Sequence, residues 1–109
     1  MNMMDMMQKT KLLQEAMKEM QANLEQTVVV GESGGGMVKV KTNCKGDLKG
    51  IEIDGQLLKQ DEKRILEDLI VAAFNNAKNQ ANEAAEKEMQ VMNNKVGMPL
   101  DMIKKMFSF

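Results

Sequence analysis

An α+β fold, ordered as helix, three-stranded antiparallel meander and long helix, follows from three features of the 109-residue sequence. Two long stretches without Gly or Pro carry apolar residues at alternating steps of three and four. Between them lies a block in which apolar and polar residues alternate with a period of two. Glycine-containing stretches separate these blocks. One backbone cannot satisfy both periods, so the chain changes structure where the period changes. At this length a single domain is expected over residues 1–109, with about 97–109 as a C-terminal tail.

The first helix is expected over residues 3–25, where good helix formers dominate. Met3, Met6, Thr10, Leu13, Met17, Met20 and Leu24 form an a/d seam with a polar interruption at Thr10. Such a stripe must be buried against something. Three strands follow, over about 26–32, 37–43 and 48–54. Between the first two, Gly31 and Gly36 stand as in a G-x-x-x-x-G phosphate loop, but Met37 occupies the place of its lysine. Strand-period sequence, not a helix, comes next. The glycines therefore read as a turn, in which at least one of Gly34, Gly35 and Gly36 needs a positive φ.

The second and third strands check their own register. If "CKGD" closes a hairpin around Lys45-Gly46, Val40 faces Ile51 and Val38 faces Ile53 on one side, while Lys39 faces Glu52 on the other as an opposite-charge pair. A slip of one residue destroys all three matches. The first strand, with Val28, Val29 and Val30 all apolar, does not reveal its inward face; it is also what a subunit contact requires.

Asp61 is placed to cap the second helix, expected over 62–95. Its stripe is Phe74, Ala77, Ala81, Ala85, Met89, Met92 and Val96, and the small alanines permit close approach by another helix. A helix of this length extends about 50 Å, too long to lie wholly on three strands. Gly97 and Pro99 stop it. The first helix runs toward the sheet and the second away, so antiparallel packing makes a projecting arm. The sheet has more apolar surface than two helices cover, and a homodimer through Val28, Val29, Val30, Val38, Val40, Ile51 and Ile53 is the simplest remedy.

This order, with "GESGGGMVKVKTNCKGDLKGIEID" and the Met- and Gln-rich first helix, resembles the YbaB/EbfC family of bacterial nucleoid-associated proteins over roughly residues 8–99. The most specific part is the central block, "GGGMVKVKTN" and "KGIEID". The resemblance implies a homodimer joined through its sheets, with helical arms shaped like tweezers, that binds DNA and organises the chromosome. The chain departs from the family after Pro99, where ten more residues include Lys104, Lys105 and Phe107.

Composition narrows the chemistry. His, Trp and Tyr are absent and Phe occurs three times, which removes the usual general base, the commonest metal ligand and most base-stacking platforms. Cys44 has no second Cys or His to form a disulfide or metal site and reads as a small turn residue. Carboxylate neighbours such as Glu67-Asp68 and Glu86/Glu88 fit a solvated helix face, since a catalytic pair needs a pocket that separates its pKa values. No enzyme activity, cofactor, metal or small-molecule substrate is expected. The thirteen methionines read as filling for an irregular helical core, rather than a copper(I) site. "MNMMDMMQKTK" carries Asp5 and lacks a basic start or a small-residue cleavage site, so it is not read as a signal peptide; no apolar run is long enough to span a membrane. A cytoplasmic, nucleoid-associated location is expected.

With 15 basic and 16 acidic residues there is no global positive field, so DNA contacts must come from local lysines. Residues 61–94 carry four basic against seven acidic side chains, and residues 95–109 three against one. Antiparallel packing gathers Lys9, Lys11, Lys95, Lys104 and Lys105 toward one arm tip, and Lys18 and Lys78 complete the expected DNA-binding set. This assignment rests on their grouping together with the family resemblance. Double-stranded DNA, gripped mainly through phosphates, is the expected partner. The alternative is a dimeric adaptor whose Met-rich arms grip a partner protein.

Overall fold

The computed structural model describes residues 2–96, which form α1 (Met3–Gln26), β1 (Val28–Ser33), β2 (Val38–Asn43), β3 (Leu48–Ile53) and α2 (Lys63–Val96). The sheet is antiparallel in the order β1-β2-β3. Helix α1 begins where the Asn2 side chain accepts a hydrogen bond from the Asp5 amide at 2.9 Å, and Asp5 sits favourably in the positive first turn. Within it, the Thr10 hydroxyl donates to the Met6 carbonyl, so the polar break in the seam is satisfied locally. Asp61 falls inside a short 3-10 turn, Gln60–Glu62, that runs straight into α2. In this connection it is Asp54 whose carboxylate accepts a backbone hydrogen bond, from Gln56.

The hairpin register is as the alternation requires: Val38 opposite Ile53, Lys39 opposite Glu52, Val40 opposite Ile51. A bulge between Lys41 and Thr42 then shifts the pairing toward the turn. The ion pairs take other partners. Lys41, not Lys39, meets Glu52 at 3.1 Å, and Lys39 reaches across to Glu32 of β1 at 3.9 Å. Both pairs are solvent-exposed and contribute little to stability. At the hairpin end, buried Asn43 accepts from the amides of Lys45 and Asp47 and donates to the Asp47 carboxylate, while Gly46 takes φ 97°.

Two apolar clusters hold the chain together. Over the sheet, Val38, Val40, Leu57, Ala73 and Ala77 are buried, flanked by Leu66, Leu69 and Ile70. In the arm, Ala16, Met20 and Leu24 of α1 meet Met89 and Met92 of α2, with Cys44 beneath them. Cys44 is thus a core residue rather than only a turn residue, and its amide bonds to the carbonyls of Leu24 and Thr27. The arm makes the molecule long, 69 × 21 × 17 Å.

The stripe of α2 differs from strict three-four stepping. Ala73, Ala77 and Ala81 are buried, while Phe74 keeps 39 % of its surface exposed. Gly31 of β1 is the reason. A Cβ there would lie 2.1 Å from the Ala73 carbonyl and 2.3 Å from the Ala77 amide nitrogen, so strand and helix backbones touch. Ala73 and Ala77 therefore admit a strand, while Ala85 packs into the arm cluster formed with α1, where close approach by a second helix was expected. Side chains close the outer edge of β1: Asn76 accepts from the Glu32 amide, Gln80 donates to the Val30 carbonyl, and Ser33 donates to the Leu69 carbonyl.

Gly34, Gly35 and Gly36 have φ of 60°, 67° and 92°, which settles their geometry as a left-handed turn between β1 and β2. Nothing lies within 4 Å of a Cβ built on Gly35, so a substitution there isolates backbone strain from crowding. Gly35→Val is expected to cost about 1–2 kcal/mol in urea unfolding, the penalty for a side chain in the left-handed region.

Candidate nucleic-acid interface

The lysines sort by helix face. Lys9 and Lys11 are adjacent in height near the free end of α1, but two residues of helix separate them by about 200° around the axis. They do not form a pair. Lys11 and Lys18, seven residues apart, share the face turned away from the buried Ala16, Met20 and Leu24. Glu15 stands one turn from Lys11 on this face and dilutes the local positive potential. Lys95 lies in the last turn of α2, where only the backbone is described, and Lys104 and Lys105 fall outside the described residues.

Lys78 stands elsewhere, on the flank of α2 that overlooks an open groove of about 830 Å³. Its floor is apolar, with Met20, Leu24, Cys44, Ala81, Ala85 and Met89. The rim carries Lys78, Lys45 and Glu86. Lys45 was not singled out by sequence reasoning, although "CKGD" places it at a hairpin tip; that it lines the same groove as Lys78 comes only from the packing of the sheet against α2. In the groove wall the Thr42 hydroxyl is fully buried and has no hydrogen-bond partner among the described residues.

Burial pushes the Cys44 thiol above its ordinary range, and the Glu88 carboxylate adds to the shift. Less thiolate at pH 8 means slower alkylation. Iodoacetamide is expected to label Cys44 more slowly in the folded protein than in denaturant, with the difference narrowing as pH rises. Among the described residues no cluster of three or more His, Cys, Asp or Glu is placed to hold a metal ion. No described helix is long and apolar enough to cross a membrane.

The residues expected at a subunit contact separate into four groups. Val38 and Val40, with 0 % and 1 % of their surface exposed, are consumed by the chain's own core and leave a second copy nothing to cover. Val29 packs into the arm cluster and Ile53 against the sheet cluster. Val28 and Val30 lie on the opposite sheet face beside the charged Glu32, Lys39 and Lys41, because β1 alternates and Gly31 points to the helix. Ile51 faces the helix side yet remains exposed. The N-terminal half of the α1 seam differs as well, since Met3 and Met6 are exposed together with Met4, Met7 and Leu12.

Comparison with known proteins agrees with this architecture. The chain is 42 % identical over 98 residues to a nucleoid-associated protein of Methylocella silvestris, covering 90 % of this chain and 92 % of the relative. It is 46 % identical over 94 residues to one from Rhodopseudomonas palustris strain TIE-1, covering 86 % and 89 %. The crystal structure of uncharacterized protein HP0035 from Helicobacter pylori shares the fold, with a TM-score of 0.74 at 23 % identity over 84 % of this chain and 97 % of that one. Residues 1–96 match the YbaB/EbfC DNA-binding family, which is not a family of enzymes. The α-β-β-β-α chain with its projecting two-helix arm belongs to the YbaB/EbfC DNA-binding family.

Proposed function

We propose that this protein is an architectural DNA-binding homodimer of the nucleoid, which contacts duplex DNA mainly through phosphates with little base readout. The observation that carries the reading is family membership across essentially the whole described chain. The geometry is compatible with it. Lys11 and Lys18 project from the outer face of the arm, and Lys45 and Lys78 stand on the groove rim. Lys9, Lys95, Lys104 and Lys105 complete the proposed contact set. Lysines without interleaved aromatic side chains suit phosphate contacts, which position a protein on DNA without reading sequence. Phe74 is the single aromatic residue among those described. Titration of a random-sequence duplex at several salt concentrations tests the proposal; no saturable binding at low salt overturns it.

The exposed Met3, Met4, Met6 and Met7 favour a second reading, in which the arm grips an apolar protein surface. Association of that kind is insensitive to salt, so the same titration separates the two.

A further inference from the structure

Helix α2 stops before α1 does. The two run antiparallel in the arm, where the Asn23 side-chain amide donates to the Glu88 carboxylate. Val96, the last residue of α2, lies eight residues beyond Glu88, and Glu15 of α1 lies eight residues before Asn23. The end of the arm cluster agrees, since Ala16 and Met92 share it. Residues 3–12 of α1 therefore run on past α2 for about 15 Å. Their apolar seam is left open among the described residues, with Met3 78 % and Met6 58 % exposed. A lone helical segment this short is marginal in water without a partner for its apolar face.

The sequence after α2 supplies a matching face. The stripe Ala85, Met89, Met92 and Val96 resumes beyond the break as Leu100, Ile103 and Phe107, at the same steps of three and four. Read at the helical period, the six apolar residues of 100–109 fall on one half of the circumference. Asp101, Lys104, Lys105 and Ser108 fall on the other. Pro99 suits a first helical position and Asp101 a first turn. As a helix, residues 99–109 span about 16 Å, close to the length of the open seam.

We propose that residues 99–109 form a third arm helix, which takes over from α2 and seats its apolar half on Met3 and Met6. Gly97 and Met98 are connection enough, because the new helix keeps the direction of α2 and only its axis shifts. Seated in this way, it turns Lys104 and Lys105 to solvent at the free end of the arm. This seat is independent of DNA binding. It competes with the adaptor reading, since it occupies the methionine seam that a partner protein would need.

Intrachain cross-linking tests this in the full chain carrying Cys44→Ala. Met6→Cys combined with Ile103→Cys is expected to react with a short bismaleimide within one chain, giving a monomer-sized product whose yield survives dilution. Met6→Cys with Lys105→Cys, at the same height on the polar half, is expected to give little of it. Hydrogen exchange is a second readout that needs no cysteine. In Ile103→Asp/Phe107→Asp the amides of residues 3–12 are expected to exchange about tenfold faster than in the wild type, while those of 16–24 keep their rates. Unchanged protection over 3–12 together with no intrachain product overturns the proposal. So does a product found only between two chains, which would put this segment on a second copy. Equal reaction at 103 and 105 overturns it as well, because the apolar half is then not what faces α1. Loss of binding to phosphatidylglycerol vesicles in the Asp variant, with protection over 3–12 unchanged, overturns it in favour of a lipid surface.

Discussion

Affinity for random-sequence duplex DNA is expected to fall about 250- to 1,000-fold between 50 and 200 mM salt. The figure follows from the number of phosphates the proposed dimer would neutralise. Two or three per arm give about four to six, and a slope of log affinity against log salt of about −4 to −5, at ~0.9 per phosphate. With a net charge of −1 the protein supplies no long-range attraction, so the proposed local contacts would have to carry the whole electrostatic effect. The double variant Lys11→Glu/Lys18→Glu removes the two lysines that share the outer face of α1. It is expected to weaken binding to every sequence alike and to flatten the slope by about 2 or more. Lys39→Glu is expected to matter less, because that side chain sits on the sheet beside Glu32. Fluorescence anisotropy across a salt series measures all of this. Unchanged affinity and slope in the double variant would move the site to Lys45 and Lys78, or to the C-terminal lysines.

Replacing Gly31 with Val is expected to lower the thermal midpoint by about 12–24 °C. The added Cβ falls 2.1 Å from the Ala73 carbonyl oxygen and 2.8 Å from the Ala77 Cα, all helix backbone that cannot rotate away as a side chain can. Overpacking of this sort costs about 3 kcal/mol, and each kcal/mol is worth about 4–8 °C in a domain of this size. Gly50→Ala is the control, since nothing lies within 4 Å of a Cβ built there. A midpoint for Gly31→Val within a few degrees of wild type would show that α2 lifts from β1 at little cost.

The order of elements and the hairpin register were legible because each rested on a repeated local signal. Three cross-strand matches agreed on one register, and every element boundary falls within one or two residues of the change in period. What remained hidden depended on who covers whom. Alternation marks Val40 and Ile51 alike as inward, yet α2 covers the first and not the second. Heptad stepping favoured Phe74 for the buried stripe. Ala73 and Ala77 are buried instead because a strand backbone lies directly against them, a demand that comes from Gly31, some forty residues away. The charged sites show the same division. That Lys9 and Lys11 point apart is contained in helical periodicity, whereas the groove that both Lys45 and Lys78 line exists only once the sheet and α2 are packed. Lys39 opposite Glu52 was readable as a register, but not as an ion pair, since a long side chain chooses among diagonal neighbours.

The backbone contact at Gly31 also acts as a fulcrum. Helix α2 is continuous from the sheet to the arm, so any tilt where it crosses β1 is amplified along its length. From Ala77 to Val96 the helix runs about 28 Å, and each degree of tilt displaces its end by about 0.5 Å. A tilt of 10° moves the tip about 5 Å, more than the ~3.4 Å rise between successive phosphates of one DNA strand. A pivot cushioned by long side chains would allow that play. Here strand and helix meet with no side chain between them, which holds the direction of the arm to a gauge set within the sheet.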